Sequence, residues 1–451
     1  MTPRRLLGLA LGAWCVAVGL GLLFGSPLTH DEASYALLAR GVDVDWLYRP
    51  RGVVALAHVG IALGGSDLAL RLPSTVLGLG FVMAVAALGT RVFGAWVGAW
   101  AAALVAGAHP FVLAGAQLLG DLPSATCLLL AVTLLVAELG RPSGPRARLV
   151  TAGPLLAAAF YFRYGSAPVI ALIVAAALVA WWPVVRARPA PVLGMLAALG
   201  GALVPFAYAS HAITGSVVGI LVLSRKVASP SATGEGLQRF VLGNPFVRYG
   251  ALLPPVLLAG LVAIVRPPPA RRAAWFLWAV AVGQILTIGL IAHGEPRYIF
   301  FALALLVCLG VDGIARALVA HPVAARRVVY GAAGLVAASS LVVAGAQPYS
   351  KCHASAILAD MLADAAAIRA DAAGRPCTTI TPDVPQLMWY AGCSGEHPDS
   401  RGAAPPFAAD RRWYTASSPA RPLDAAAVAE GRHVVPVALP NAPSAWWLRP
   451  R

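Results

Sequence analysis

Charge is what this sequence has least of. Asp, Glu, Lys and Arg make up 12% of its 451 residues, about half the share of an ordinary soluble domain. With 59% hydrophobic residues, that scarcity excludes a soluble globular enzyme and leaves a polytopic membrane protein. Lysine is nearly missing: of 34 basic residues only Lys226 and Lys351 are lysine, a bias that a GC-rich genome produces as readily as a need for guanidinium chemistry. Metal signatures are lacking too, since neither CxxC nor HExxH occurs. No small-residue cleavage site follows the first apolar run, so the basic N-terminus is expected to lead into an uncleaved span. A net charge of +15 would suggest nucleic acid in a soluble chain. Here the arginines sit in short loops between apolar runs, which explains them by membrane orientation and leaves no nucleic-acid partner.

What is there begins with those apolar runs. Stretches near the spanning length of about 20 residues fall at 6–25, 72–90, 95–113, 122–139, 149–163, 166–183, 191–212, 250–265, 273–292, 298–315 and 328–345. The fold class expected is therefore an α-helical polytopic membrane protein with about eleven transmembrane helices. A shorter run, Val53–Gly64, reads as interfacial or re-entrant. The basic loops orient the chain with its N-terminus in the cytoplasm, the inner loops carrying Arg4, Arg5, Arg91, Arg141, Arg271, Arg272 and others. Acids are distributed the other way. Only Glu138 and Asp312 lie inside, whereas Asp31, Glu32, Asp43, Asp45, Asp67, Asp121, Glu235 and Glu295 lie outside. The carboxylates gather on the outer face of the plasma membrane.

Residues 1–345 then form the transmembrane catalytic domain, and 346–451 a small extracytoplasmic C-terminal α/β domain. Its expected elements are a helix over Ala354–Ala373 and strands at Thr378–Thr381 and Val434–Leu439. Cys15, Cys127 and Cys308 fall in spans and read as small buried hydrophobes. Cys352, Cys377 and Cys393 lie in the tail, in an oxidising compartment on this topology. One disulfide and one free thiol are expected; of the three pairings Cys377–Cys393 is preferred, although spacing does not decide among them.

Candidate chemistry sits in the outer loops. After the first span the chain reads Thr29-His30-Asp31-Glu32-Ala33-Ser34-Tyr35. An ionised Asp close to hydrocarbon costs roughly 2.5–3.5 kcal/mol on insertion scales, so acids kept there point to chemistry at the lipid surface. A helix over Asp31–Arg40 is expected, stopped by Gly41. Thr29 and Glu32 also spell a capping box, which gives Glu32 a structural reading beside the catalytic one; Asp31 has no such explanation. Arg49 and Arg51, in Tyr48-Arg49-Pro50-Arg51-Gly52, either snorkel at the interface or grip a phosphate with their guanidinium forks. Asp121, in Gly120-Asp121-Leu122-Pro123, caps its helix or lines a cavity, and Arg163 marks a boundary or the same cavity. Asp67 and Arg71 read as a helix-start ion pair. The turn His293-Gly294-Glu295-Pro296-Arg297-Tyr298 needs Gly and Pro to reverse the chain, but turning does not require His, Glu and Arg. His293 and Glu295 leave a divalent metal open without demanding one; no cofactor is certain.

In this order the pieces resemble the GT-C superfamily of integral-membrane glycosyltransferases, nearest to the protein O-mannosyltransferases and the aminoarabinose-transferase-like enzymes. The matching residues are Asp31-Glu32 with Tyr35, Arg49-Pro50 before an interfacial helix, Ala69-Leu70-Arg71-Leu72-Pro73-Ser74, Gly120-Asp121-Leu122-Pro123, and the His293/Glu295/Arg297-Tyr298 turn. The resemblance implies a polyprenyl-phosphate sugar donor and inverting hexosyl or pentosyl transfer to an acceptor hydroxyl on the outer face. It makes the first-loop acid, Asp31 with its neighbour Glu32, catalytic. Arg49, Arg51 and Arg297 would bind the donor phosphate. Tyr35, Asp121, Arg163, His293, Glu295 and Tyr298 would line the cavity for a lipid, polysaccharide or protein acceptor. Aminoarabinose transferases carry Lys-Pro-Pro where this chain has Arg49-Pro50-Arg51. The rival classes are a transporter or flippase and a non-catalytic assembly subunit. The first would carry ionisable residues in mid-span and an inverted repeat, whereas here charges sit at span ends.

Overall fold

The computed structural model describes residues 1–23, 27–42, 49–227, 233–242, 253–265, 271–319, 331, 362–363, 365–380 and 384–396, and strands at 412–416, 433–437 and 445–449. The helices in chain order are α1 (Pro3–Leu23), α2 (His30–Ala39), α3 (Arg51–Ala62), α4 (Asp67–Phe93), α5 (Ala95–Gly107), α6 (His109–Gly115), α7 (Asp121–Leu139) and α8 (Ala152–Phe162). They continue with α9 (Ala167–Ala180), α10 (Trp182–Ala187), α11 (Ala190–Thr214), α12 (Gly219–Val227), α13 (Glu235–Val241), α14 (Leu253–Val262), α15 (Arg271–Ile291), α16 (Phe300–Val319) and α17 (Val384–Ala391).

Six of these helices are long and apolar enough to cross a bilayer, seven if the bent pair α5–α6 counts as one span. The chain is thus a multi-pass membrane protein, with fewer full-length spans among the described residues than the eleven expected from hydropathy. The reasons are local. His109-Pro110 follows Ala108, which stands in an extended conformation (ψ 125°); Pro110 lacks the N–H that would continue α5, and in an unbroken helix its ring would clash with the Ala106 carbonyl. The expected span 95–113 is consequently two helices bent by 71°. The stretches 149–163 and 166–183 are shorter helices meeting at Arg163, whose φ of −156° and ψ of 108° are extended. Of 250–265, helix α14 occupies only Leu253–Val262. The expected span 328–345 lies outside the described residues, as does Cys352.

Contacts divide the chain into two units. One comprises Met1–Leu23, Leu47–Leu56 and Arg71–Gly345; the other comprises Phe24–Trp46, Ala57–Leu70 and Ala346–Arg451. In the first, α7 and the stretch leading into α16 are the most enclosed, each 78% buried over its most apolar window, against 17% for α11. Phe111 joins Phe81 and Phe300 there, with centroids 5.1 and 4.7 Å away.

The second unit gathers α2, α17 and a five-stranded mixed sheet. Its strands are β1 (Cys377–Ile380), β2 (Ser394–Glu396), β3 (Arg412–Ala416), β4 (His433–Val437) and β5 (Ala445–Arg449), in the order β2-β1-β3-β5-β4. Strand β1 runs parallel to both neighbours, with Thr378 opposite Ser394 and Trp413, and β5 pairs antiparallel with β3 and β4. A disulfide joins Cys377 to Cys393. Both half-cystines are buried beside Ala365, Ile368, Ala372, Leu387 and Ala391. Residues 365–372 are helical; residues 354–361 of the expected helix lie outside the described residues.

Candidate active site

In the first unit a polar cluster forms at the end of the bundle where α7 begins and α15 ends. Asp121 opens α7 without capping it. Its carboxylate instead forms an ion pair with Arg163 at the break between α8 and α9, and its other oxygen lies 4.0 Å from Arg297 Nε. Asp121 is 8% exposed as a side chain, Arg163 22% and Arg297 26%. A carboxylate so enclosed stays charged at modest cost only beside opposite charge. Asp121 makes no side-chain cap to α7 and is among the residues that line a small cavity.

The turn after α15 supplies the other half. Gly294 has φ +82°, a left-handed conformation that L side chains rarely adopt, and a Cβ there would lie 2.5 Å from Gly236 Cα. The reversal brings four side chains into contact: Arg297 Nε is 2.6 Å from Glu295 Oε2, Glu295 Oε1 is 3.4 Å from His293 Nε2, and the Tyr298 hydroxyl is 3.3 Å from that nitrogen. The Arg163 guanidinium lies 4.1 Å from the Tyr298 ring centroid, within cation–π range. A small cavity is lined by Asp121, Arg163, Arg297, Tyr298 and Gln284, among others.

Close backbone approach holds this end together. A Cβ on Gly52 would lie 2.7 Å from the Tyr161 carbonyl oxygen, and one on Gly120 still closer to that of Phe162 and 2.8 Å from Val53 Cγ2. Only glycine at both positions lets the start of α3, the start of α7 and the end of α8 meet. Arg51 is thereby seated beside the α8–α9 break, where its backbone N–H donates to the Tyr164 hydroxyl. Ser124 donates to the Ala159 carbonyl at 2.9 Å, so the 2.8 Å contact with Ser166 has Ser166 as donor.

The second unit carries the first-loop acids. Helix α2 begins with the capping box: Glu32 N–H donates to Thr29 Oγ1 at 3.5 Å, and Thr29 N–H donates to Glu32 Oε2 at 2.9 Å. Glu32 is fully buried, Tyr35 is buried and Asp31 is half-buried. The Tyr390 hydroxyl of α17 accepts from Leu28 N–H at 2.6 Å and donates to Asp67 Oδ2 at 2.5 Å. Next to it, the Arg40 guanidinium lies 3.6 Å from the Trp389 ring centroid.

The structure thus brings together Asp121, Arg163, His293, Glu295, Arg297 and Tyr298, with Arg49 and Arg51 in the same unit. Asp31, Glu32 and Tyr35 belong to the other unit. Three residues were not singled out from sequence. Gln284 was detectable as an amide inside an apolar span; it is 4% exposed and donates to the Tyr298 carbonyl at 3.0 Å. Its Oε1 has no hydrogen-bond partner among the described residues. Ser124 and Tyr390 gave no such signal. No group of three His, Cys, Asp or Glu among the described residues is placed to hold a metal ion.

The fold is similar to that of solved membrane proteins. ArnT from Cupriavidus metallidurans bound to undecaprenyl phosphate superposes with a TM-score of 0.71 at 13% identity, covering 99% of this chain and 97% of that one. The archaeal oligosaccharyltransferase AglB from Archaeoglobus fulgidus, in complex with an inhibitory peptide and a dolichol-phosphate, gives 0.54 at 13% identity, over 86% and 64%. Residues 49–208 match the family described as dolichyl-phosphate-mannose-protein mannosyltransferase. No curated protein matches this chain by sequence. The resemblance to GT-C glycosyltransferases of the mannosyltransferase and aminoarabinose-transferase kinds stands.

Proposed function

We propose that this protein is a glycosyltransferase that takes a sugar from a polyprenyl-phosphate donor and transfers it, with inversion, to an acceptor hydroxyl on the outer face of the plasma membrane. The observation that carries this reading is the Asp121–Arg163–Arg297 cluster around a cavity at one end of a membrane bundle. Support comes from the family match over residues 49–208 and from a fold shared with a protein that binds undecaprenyl phosphate.

The residues suit the chemistry. A lipid phosphate leaves readily once its charge is neutralised, and Arg297, Arg49 and Arg51 are the groups for that task, the fork of each matching two phosphate oxygens. The acceptor hydroxyl has a high pKa and needs a base. Asp31 takes its proton as the oxygen attacks the anomeric carbon opposite the phosphate. The bond from that carbon to the phosphate oxygen breaks, and its electron pair leaves with the polyprenyl phosphate. Glu32, engaged at the helix cap, positions Asp31, and Gln284 Oε1 accepts a hydrogen bond from a hydroxyl entering the cavity.

The test is a transfer assay with purified protein, radiolabelled polyprenyl-phosphate sugar and a cell-envelope extract. Label appearing on a new acceptor with stoichiometric release of polyprenyl phosphate is the expected result. Label that crosses a vesicle bilayer while staying on its lipid would mark a flippase and overturn the proposal. Donor left unchanged whatever acceptor fraction is added would mark an assembly subunit.

A further inference from the structure

A second cavity in the first unit lies away from the Asp121 cluster, at the far end of the same helices. Helix α7 runs 19 residues, so its two ends lie about 28 Å apart. At its C-terminal end a cavity of about 900 Å³ opens, lined by Arg91, Arg141, Arg271 and Arg272 together with Trp181, Trp275 and small apolar side chains. The four arginines come from three separate places: the last turn of α4, the residue pair after α7, and the start of α15.

The excess of arginine in inner loops orients a membrane protein wherever in those loops the charges fall; it does not require four of them around one concavity. For Arg271 and Arg272 the local setting is also unfavourable without a counter-charge. No carboxylate is among the lining residues. Glu138, buried and outside the lining, pairs with Arg141 at 3.2 Å and accepts from the Arg146 backbone at 3.1 Å. Arg271 and Arg272 are the first two residues of α15. There they add positive charge to the positive end of the helix dipole and to N–H groups with no partner in the helix. An anion removes both conflicts. The apolar half of the wall says which kind. Val92, Leu139 and Val184 offer nothing to a free inorganic ion, whereas an anionic lipid brings phosphate and acyl chain together, and Trp275, 43% exposed, suits the headgroup level.

We propose that this cavity is a binding site for the phosphate headgroup of an anionic phospholipid from the leaflet that the positive-inside pattern assigns to the cytoplasm. It is separate from the donor site and independent of the transfer reaction. Basic pockets between membrane helices on that side take such headgroups elsewhere.

The test uses native mass spectrometry of the full-length protein with equimolar phosphatidylglycerol and phosphatidylcholine. The wild type is expected to retain phosphatidylglycerol selectively. Arg271→Gln/Arg272→Gln is expected to lose about 30-fold in that retention, and Arg272→Gln alone roughly fivefold. Both side chains are exposed, and unchanged phosphatidylcholine adducts with a monodisperse elution profile show that the variants are folded. Equal phosphatidylglycerol retention by wild type and double variant would overturn the proposal. Displacement of the lipid by equimolar inorganic phosphate would overturn it too, assigning the site to a soluble anion.

Discussion

The two units hold their polar residues in different ways. In the bundle, charge is balanced against charge: Asp121 lies between Arg163 and Arg297, and Arg297 in turn faces Glu295. In the unit containing α2, acids are held by backbone and hydroxyl groups: Glu32 by Thr29 N–H, and Asp67 by the Tyr390 hydroxyl. The first arrangement couples its members, because deleting one strands another in a low-dielectric setting. The second is modular, each contact contributing its own small share. The lesson concerns roles. A carboxylate inside the coupled network is needed for assembly as well as for any chemistry, while the cap that starts α2 is completed by Glu32 and not by Asp31.

That contrast is sharpened first by Asp121→Asn. Removing this charge leaves Arg163 and Arg297 facing one another, and the loss expected is about 3 kcal/mol, read as a lower melting temperature in detergent together with lost transfer. A variant that melts with the wild type would erase the distinction between the units. Tyr390→Phe comes next. It removes one hydroxyl serving both Leu28 N–H and Asp67, so about 2 kcal/mol of local stability is expected to go. The expected kinetic signature is a lower kcat with KM for the donor unchanged, since Tyr390 positions α2 and is not assigned to the donor phosphate. A rise in KM alone would contradict that role.

Much of this was legible in the sequence, and the legible parts share a cause. The capping box at Thr29 and Glu32, the stop at Gly41 (φ +72°) and the 12-residue helix Arg51–Ala62 all follow from contacts within a few residues. So does the polar turn at 293–298, where residue types that turning does not need stood out. The preferred Cys377–Cys393 bridge is also present, although spacing alone had left three pairings open. What sequence did not yield depends on partners far along the chain. Nothing near Tyr390 announces that its hydroxyl meets Asp67, 323 residues away, and nothing near Gly120 announces the Phe162 carbonyl it must clear. Among the described residues hydropathy also ran one expected span across the break at Ala108, where backbone geometry and not apolarity ends the helix.

The central claim is that Asp31 is the base while the arginines manage the phosphate. Its most direct test is Asp31→Asn, measured for donor binding, thermal stability and transfer in one preparation. The account predicts unchanged binding and melting with transfer slowed by about 10²–10⁴-fold, the usual contribution of a positioned general base. Transfer at close to the wild-type rate would contradict it.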